Sequence, residues 1–296
     1  MKIKPVHKIL LTAYDYIVLY LGLFWLGFLS LCWTLMATIL YPFLPERYAI
    51  HFGRYAIMLS FRAYLASLSI SRRCSFDLTE LDVLKNETPL IIAPNHPCLL
   101  DAVMVISRLP NVACVMKADL MNNIFLGAGA RLARYIRNEP IRQMVMQASE
   151  DFKTGSHLLL FPEGTRTVKQ PINALKGSIA LIAMQAKVPV QTVLIETNSP
   201  YLSKGWPLFR KPNMPVSYKI KLGKRFNPPE DTHQFIAELE AYFAEVLTPS
   251  VVQNSSQIFN LSNHHGNIQP DIQSDNQSNI LTELKLTVEP TGTTSS

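Results

Sequence analysis

Two side chains five positions apart, His96 and Asp101, stand in an otherwise apolar stretch, APNHPCLLDA at 93–102. A core has no need of either. Together they match the base and orienter of a proton-transfer pair, in which the aspartate fixes the imidazole tautomer and leaves the second ring nitrogen free to take a proton. A continuous helix would turn the two about 140° apart over five residues. They meet only if His96 lies in a non-helical turn and Asp101 reaches back from just beyond the first helical turn. Such a pair is a Ser-His-Asp arrangement without its serine, so the expected nucleophile is a substrate hydroxyl. The plainer alternative, a histidine at a helix cap and a surface aspartate in the first turns, fits this stretch equally well.

A second polar cluster follows another apolar run, LLLFPEGTRTV at 158–168, which halts at Pro162 and continues with Glu163, Gly164, Thr165 and Arg166. Gly164 lets backbone approach a ligand closely. Thr165 offers a hydroxyl, and Arg166 presents a fork of donors suited to phosphate. Glu163 is expected to accept a substrate hydroxyl or to order the arginine. The competing reading is an ordinary turn with a surface ion pair. Arg131, Arg134 and Arg137 recur at steps of three; Arg137 is the expected further phosphate contact, and the other two read as a solvated helix face. Lys176, opening the next helix, is a third candidate cation. Cys98 adjoins His96 but is expected to point into helix packing and not to act as a nucleophile.

These residues need a frame, and the sequence from about residue 75 supplies one. Runs rich in branched residues at 89–94, 111–116, 157–161, 188–195 and 216–222 read as strands. Helical segments fall between them at about 98–108, 123–134, 140–153 and 173–186, and a last helix starts at an Asp231 cap. Pro97 suits the first helical position after the strand at 89–94. The alternation predicts an α/β fold, a central mixed sheet flanked by helices, with both polar clusters at strand ends, where open sheets bind ligands.

Ahead of this domain, Tyr16 to Leu44 carry no charge, a run longer than the roughly 20 residues that cross a bilayer. A signal peptide would be shorter and would end in a small-x-small site. Lys2, Lys4 and Lys8 precede the run and Arg47, Arg54 and Arg62 follow it. Basic flanks on both sides favour a re-entrant hairpin broken near Gly22 to Gly27 over a single tilted span. Arg47, His51, Arg54, Met58 and Arg62 fall on one helical stripe, which suits a helix in the headgroup plane as well as a packed helix with one solvated face.

The expected organisation is a membrane-embedded segment at 1–45, transmembrane or re-entrant, then an amphipathic interfacial helix at 46–74, a catalytic domain at 75–248 and a disordered polar tail at 249–296. In the tail, His264 and His265 read as tail residues and not as metal ligands, and the N-x-[ST] matches at Asn254, Asn260 and Asn276 as chance. The formal charge of +6 suits an anionic partner. Cys32, Cys74, Cys98 and Cys114 have no metal or disulfide spacing, which points to a reducing, cytoplasmic setting.

NHPCLLD resembles the N-H-x4-D signature of the glycerolipid (lysophospholipid) acyltransferase family, YIRN its second block, FPEGTRT its third and VPVQTVLI its fourth. Order and spacing agree over roughly 75–225. Two positions depart from the family pattern: Cys98 replaces a polar residue, usually serine, and Thr192 replaces a second proline. The resemblance implies transfer of an acyl group from acyl-CoA or acyl carrier protein to a lysophospholipid acceptor, 1-acyl-sn-glycerol-3-phosphate above all, giving phosphatidic acid. It implies His96 as general base, Asp101 as its support, and Arg137, Glu163, Gly164, Thr165 and Arg166 around the acceptor's phosphate and glycerol. Backbone N–H groups near Gly164 are the expected oxyanion donors, and no cofactor or metal is called for. The implied location is the inner membrane, with the catalytic domain in the cytoplasm against the phospholipid bilayer.

The stretch from Val188 to Pro212 is also similar to a bacterial subgroup associated with aryl-polyene pigments, which would make the acceptor a specialised lipid. A membrane-bound thioesterase is the enzymatic rival, and the cationic loop beside the base speaks against it. A lipid-binding, membrane-shaping protein would leave His96 and Asp101 without a task. Nucleic acid is not an expected partner, because the basic residues are dispersed and no reader motif is present.

Overall fold

The structure, a computed structural model, describes residues 5–138 and 140–263, with side chains over 6–138 and 140–248. Lys2, Lys4, His264, His265 and Asn276 lie outside the described residues. Seven strands form one mixed sheet: β1 (Cys74–Asp77), β2 (Ile91–Pro94), β3 (Val112–Met116), β4 (Ile136–Arg137), β5 (His157–Leu159), β6 (Val190–Thr197) and β7 (Val216–Phe226). Their order is β1-β7-β6-β2-β5-β3-β4. The run from β6 to β4 is parallel, so those strands end on one edge, whereas β7 pairs antiparallel to β6. The α/β expectation holds. Two strands were not legible in sequence, β1 (CSFD) and β4 (IR), because neither lies in a run of branched apolar residues.

Helices cover both faces, as fully buried strands require. One face packs on α2 (Glu46–Ile70) and α3 (Asp101–Ile106), through Ile57, Tyr64, Leu65 and Met104. The other packs on α5 (Ile141–Lys153), α6 (Ser178–Ala186) and α7 (Thr232–Asn263), through Met144, Ile179, Ala183, Leu239 and Phe243. A short α4 (Gly127–Leu132) follows β3. The Asp231 cap forms as expected, its carboxylate accepting the N–H of His233 at 2.7 Å and of Gln234 at 2.8 Å. α6 starts at Ser178, later than the expected 173. The N–H groups of Asn173 and Leu175 go instead to the carboxylates of Glu163 and Glu240, which competes with a helical start.

The N-terminal segment departs from expectation in two ways. First, α1 (Pro5–Leu40) is unbroken at Gly22 to Gly27. The reversal comes at 41–45, with Pro42 and Pro45, and α2 returns along α1 so that Trp33 meets Phe52 and Gly22 meets Leu68. A stripe from Asp15 through Leu19, Leu26 and Trp33 to Ala37 packs inward, a contact line of about 33 Å. The opposite stripe, with Ile17, Leu21, Phe24 and Phe28, is exposed. By length and composition α1 is apolar enough to cross a bilayer, and it points to membrane association.

Second, the arginine stripe of α2 does not face one medium. Arg47, His51 and Arg62 are exposed, but Arg54 and Met58 are buried. Arg54 donates to the Ala133 carbonyl (3.0 Å), to Ser156 Oγ (2.7 Å), to Asn111 Oδ1 (3.1 Å) and to Asp151 Oδ2 (2.8 Å). It fastens α2 to α5, so a lipid-phosphate role is ruled out for it. At the other end α7 continues through Pro249 to Asn263, past the expected domain boundary at 248, in a stretch with no glycine or further proline to stop it until Gly266. The compact unit closes at Asn254.

Arg54→Met would leave Asp151 buried without its counter-charge, which costs about 3–5 kcal/mol. A matching fall in the urea midpoint of detergent-solubilised protein is expected; an unchanged midpoint would show that α2 is held by apolar packing alone.

Candidate active site

The first motif begins where β2 ends, because Pro94 closes the strand and the chain must leave the sheet. Asn95 makes this possible: its backbone N–H donates to the Val193 carbonyl at 3.3 Å, and its side chain accepts the Ile195 N–H at 2.7 Å and donates to the Ile195 carbonyl at 3.1 Å, so it extends the β2–β6 ladder by one more step. His96 follows in an irregular turn that reaches to Leu100. The helix expected from 98, with Pro97 at its first position, starts only at Asp101. That delay solves the geometric problem, since no helical residue separates the pair. His96 Nδ1 lies 2.8 Å from Asp101 Oδ2. Asp101 is fully buried, while the imidazole is 17% exposed and its Nε2 has no hydrogen-bond partner among the described residues.

Asp101 collects two further donors, the Cys98 N–H on Oδ2 at 2.8 Å and the Cys98 thiol on Oδ1 at 2.9 Å. Burial pushes its carboxyl above the ordinary range, and these donors and His96 work against that shift by stabilising the ionised form. Burial and then the Asp101 charge hold the Cys98 thiol well above its ordinary value. A protonated, buried thiol that donates to a carboxylate is a support and not a nucleophile.

The second motif grips the first. Glu163, 1% exposed, accepts the His96 N–H at 2.9 Å, the Thr167 hydroxyl at 2.7 Å and the Asn173 N–H at 3.0 Å. Its carboxyl is raised by burial and held down in part by those donors. The Thr167 N–H in turn donates to the His96 carbonyl at 2.7 Å, so both backbone polar groups of His96 are fixed by one loop. Phe161 stacks on the imidazole with ring centroids 3.9 Å apart. Gly164 adopts φ +67°, a left-handed turn conformation that glycine tolerates.

Several expected roles change here. Glu163 neither faces solvent nor orders Arg166. Arg166 Nη1 donates to the carbonyls of Leu202 and Ser203 at 2.8 and 2.9 Å, and the Leu99 N–H also binds the Leu202 carbonyl. Arg166 therefore ties the 199–206 loop to its own motif loop with that nitrogen, while Leu99 ties the same loop to the His96 turn. The Gly164 N–H is taken by Phe161, which leaves the N–H groups of Thr165 and Arg166 as oxyanion candidates among the described residues. Lys176 is exposed beside Gly164. Arg137 is exposed at the end of β4, on the same sheet edge as His96 but three strands across, about 14 Å at ordinary strand spacing. Arg131 binds the Met121 carbonyl and Arg134 pairs with Glu150. Both departures from the family pattern point inward: Thr192 is fully buried and donates to the Lys224 carbonyl, and Cys98 serves Asp101. Sequence reading missed Asn95, Phe161, Thr167 and Asn173. The first three adjoin the motifs and could have been weighed with them, but nothing in sequence ties Asn173 to Glu163.

Residues 75–196 match the family model described as Acyltransferase. A 1-acyl-sn-glycerol-3-phosphate acyltransferase of Pseudomonas aeruginosa is 26% identical over 172 residues, which cover 54% of this chain and 65% of that protein's length. The crystal structure of the 1-acyl-sn-glycerophosphate (LPA) acyltransferase PlsC from Thermotoga maritima shares the fold, with a TM-score of 0.51 at 15% identity, over 75% of this chain and 94% of that one. The match to the acyltransferase family model is confined to residues 75–196, the Pseudomonas relative is similar over part of its length, and the likeness to the Thermotoga structure shows the fold.

A glutamine at 163 offers one acceptor oxygen to donors that now use two, and each unpaired buried group costs about 1–3 kcal/mol. Glu163→Gln is expected to lower kcat by about 10- to 100-fold through misplacement of His96, with acceptor KM unchanged. A raised acceptor KM at full kcat would instead put Glu163 on the substrate.

Proposed function

We propose that the chain transfers a fatty acyl group from an acyl thioester, on CoA or acyl carrier protein, to the free hydroxyl of 1-acyl-sn-glycerol-3-phosphate, giving phosphatidic acid. The observation that carries this reading is the 2.8 Å contact between His96 Nδ1 and the buried Asp101, beside which the one thiol, Cys98, is buried and donates to the Asp101 carboxylate. Nε2 takes the proton of the acceptor hydroxyl. The oxygen attacks the thioester carbonyl, and the carbon–sulfur bond of the resulting tetrahedral adduct breaks. The imidazolium then returns the proton to the departing sulfur, so that ester and free thiol are the products. Asp101 stabilises the imidazolium in between.

The N–H groups of Thr165 and Arg166 are the donors this reading assigns to the thioester oxyanion. This reading assigns Lys176 and the Thr165 hydroxyl to the acceptor's phosphate and glycerol. Arg137 is the cation for a phosphate placed further along the same sheet edge. No metal or cofactor enters. The exposed stripe of α1 supports a site held at a bilayer, and the inner membrane with the domain on the cytoplasmic side is the assigned location. Cys98 and Thr192, the two departures from the family pattern, are both internal, and the alternative of a specialised aryl-polyene acceptor rests on the 188–212 stretch alone.

Purified protein in detergent, offered acyl-CoA and acyl carrier protein donors with a panel of lysophospholipids, is expected to form phosphatidic acid. His96→Ala should reduce that turnover by about 10² to 10⁴ with the fold intact. Thiol release at the same rate without acceptor would favour a thioesterase, and full turnover by His96→Ala would overturn the mechanism.

A further inference from the structure

Trp206 and Phe209, which the sequence leaves open as lipid-facing, acyl-chain-facing or ordinary loop residues, lie on a loop between β6 and β7 that the proton transfer does not use. The loop is ordered by its own bonds. The N–H of Ser203 donates to the Pro200 carbonyl at 3.0 Å, that of Trp206 to Ser203 at 3.1 Å and that of Arg210 to Pro207 at 2.9 Å. The Trp206 indole N–H closes it on the Arg210 carbonyl at 3.1 Å. An ordered loop should turn its large apolar residues inward, yet its tip holds Leu208 at 44% and Phe209 at 64% exposure.

The loop is also docked on α1. Lys211 Nζ lies 3.2 Å from Asp15 Oδ2, and Arg73 holds the other oxygen of the same carboxylate at 2.8 Å. Phe209 stacks on Tyr20, ring centroids 6.2 Å apart. Asp15 is the last charge before the run that begins at Tyr16. From the ion pair to the ring contact is five residues of helix, about 7.5 Å along its axis. The loop therefore passes the ionic level and lays its tip beside the exposed stripe of Ile17, Tyr20, Leu21 and Phe24.

Isolated apolar residues on a surface need no explanation, but a continuous apolar surface made by two distant segments does. Its rim has the composition of a membrane–water boundary: Lys204 is exposed, and the Arg210 guanidinium lies 5.1 Å over the Trp206 ring. We infer that the 203–211 loop is a second lipid contact, with Leu208 and Phe209 seated in the acyl boundary of an anionic bilayer beside α1. The inference rests on α1 being membrane-associated. It would also seat the site: Leu202, at the base of the same loop, accepts from Leu99 of the catalytic turn and from Arg166.

The test places a nitroxide at Phe209→Cys in the full chain, with the exposed Cys32 changed to serine. The protein is reconstituted in vesicles of equal phosphatidylethanolamine and phosphatidylglycerol. Labels at Phe24→Cys and Glu245→Cys serve as lipid and water references. Collision with oxygen in excess of collision with a water-soluble nickel chelate at 209, matching 24 and unlike 245, is the expected result. A water-like reading at 209 with a lipid-like one at 24 overturns the proposal, as does a water-like reading at both. Spin–spin broadening at 209 that grows with protein density would assign the surface to a second copy and overturn it as well. None of these readings needs turnover, so a chain that transfers no acyl group would refute the proposed reaction and leave this inference standing.

Discussion

The site depends on how the main chain of His96 is held. An imidazole in an irregular turn has no helix or sheet to fix it, and such a turn would sample many orientations at a cost of about 1–2 kcal/mol of backbone freedom per residue to suppress. Here a neighbouring loop does the fixing. The Glu163 carboxylate binds the His96 N–H, the Thr167 N–H binds its carbonyl, and Phe161 covers one face of the ring. Asp101 then has only the ring to orient. The two motifs stand on adjacent strands, β2 and β5, and a single parallel pairing brings them together.

This arrangement changes how the charged residues of the site are understood. A buried carboxylate survives only when donors replace the water it has lost. Asp101, Glu163 and Asp151 each meet that condition, with donors that also join distant segments: the turn to α3, the two motif loops to each other, and α2 to α5. Two charges of the motifs thus serve as fasteners, Glu163 entirely and Arg166 through one nitrogen. The loss of either would be felt at His96 without touching a substrate. The groups left facing outward are fewer and smaller, chiefly Thr165, Lys176 and the free edge of the imidazole.

The helical hairpin belongs to the same scheme. α1 and α2 lie along the domain, and the bonds of the hairpin are polar toward the start of α1, at Asp15, Arg73 and Lys211. They are apolar further along, at Leu26, Trp33 and Ala37. A domain bound over such a length moves with its helix, so the height of the site above a lipid surface is set by packing and not by a flexible tether.

Much of this was legible in sequence. The branched runs marked five of the seven strands, four because a buried parallel strand needs side chains that are apolar on both faces and β7 through its alternation of buried and exposed residues, and the Asp231 cap marked the last helix. The pairing of His96 with Asp101 followed from residue type and from the impossibility of a helix between them. What sequence could not supply was direction. The 3.6-residue period placed Arg54 on a basic stripe, but whether that stripe meets water or a buried aspartate nearly a hundred positions away depends on where α5 lies. The same holds for Glu163, two of whose three partners are backbone N–H groups with no sequence signal of their own, and for the unbroken α1, where flanking charge could not say that the reversal lay beyond Leu40. Local chemistry determined which residues are able to act; only the long-range packing of strand ends and helices decided which of them face a substrate and which hold the others in place.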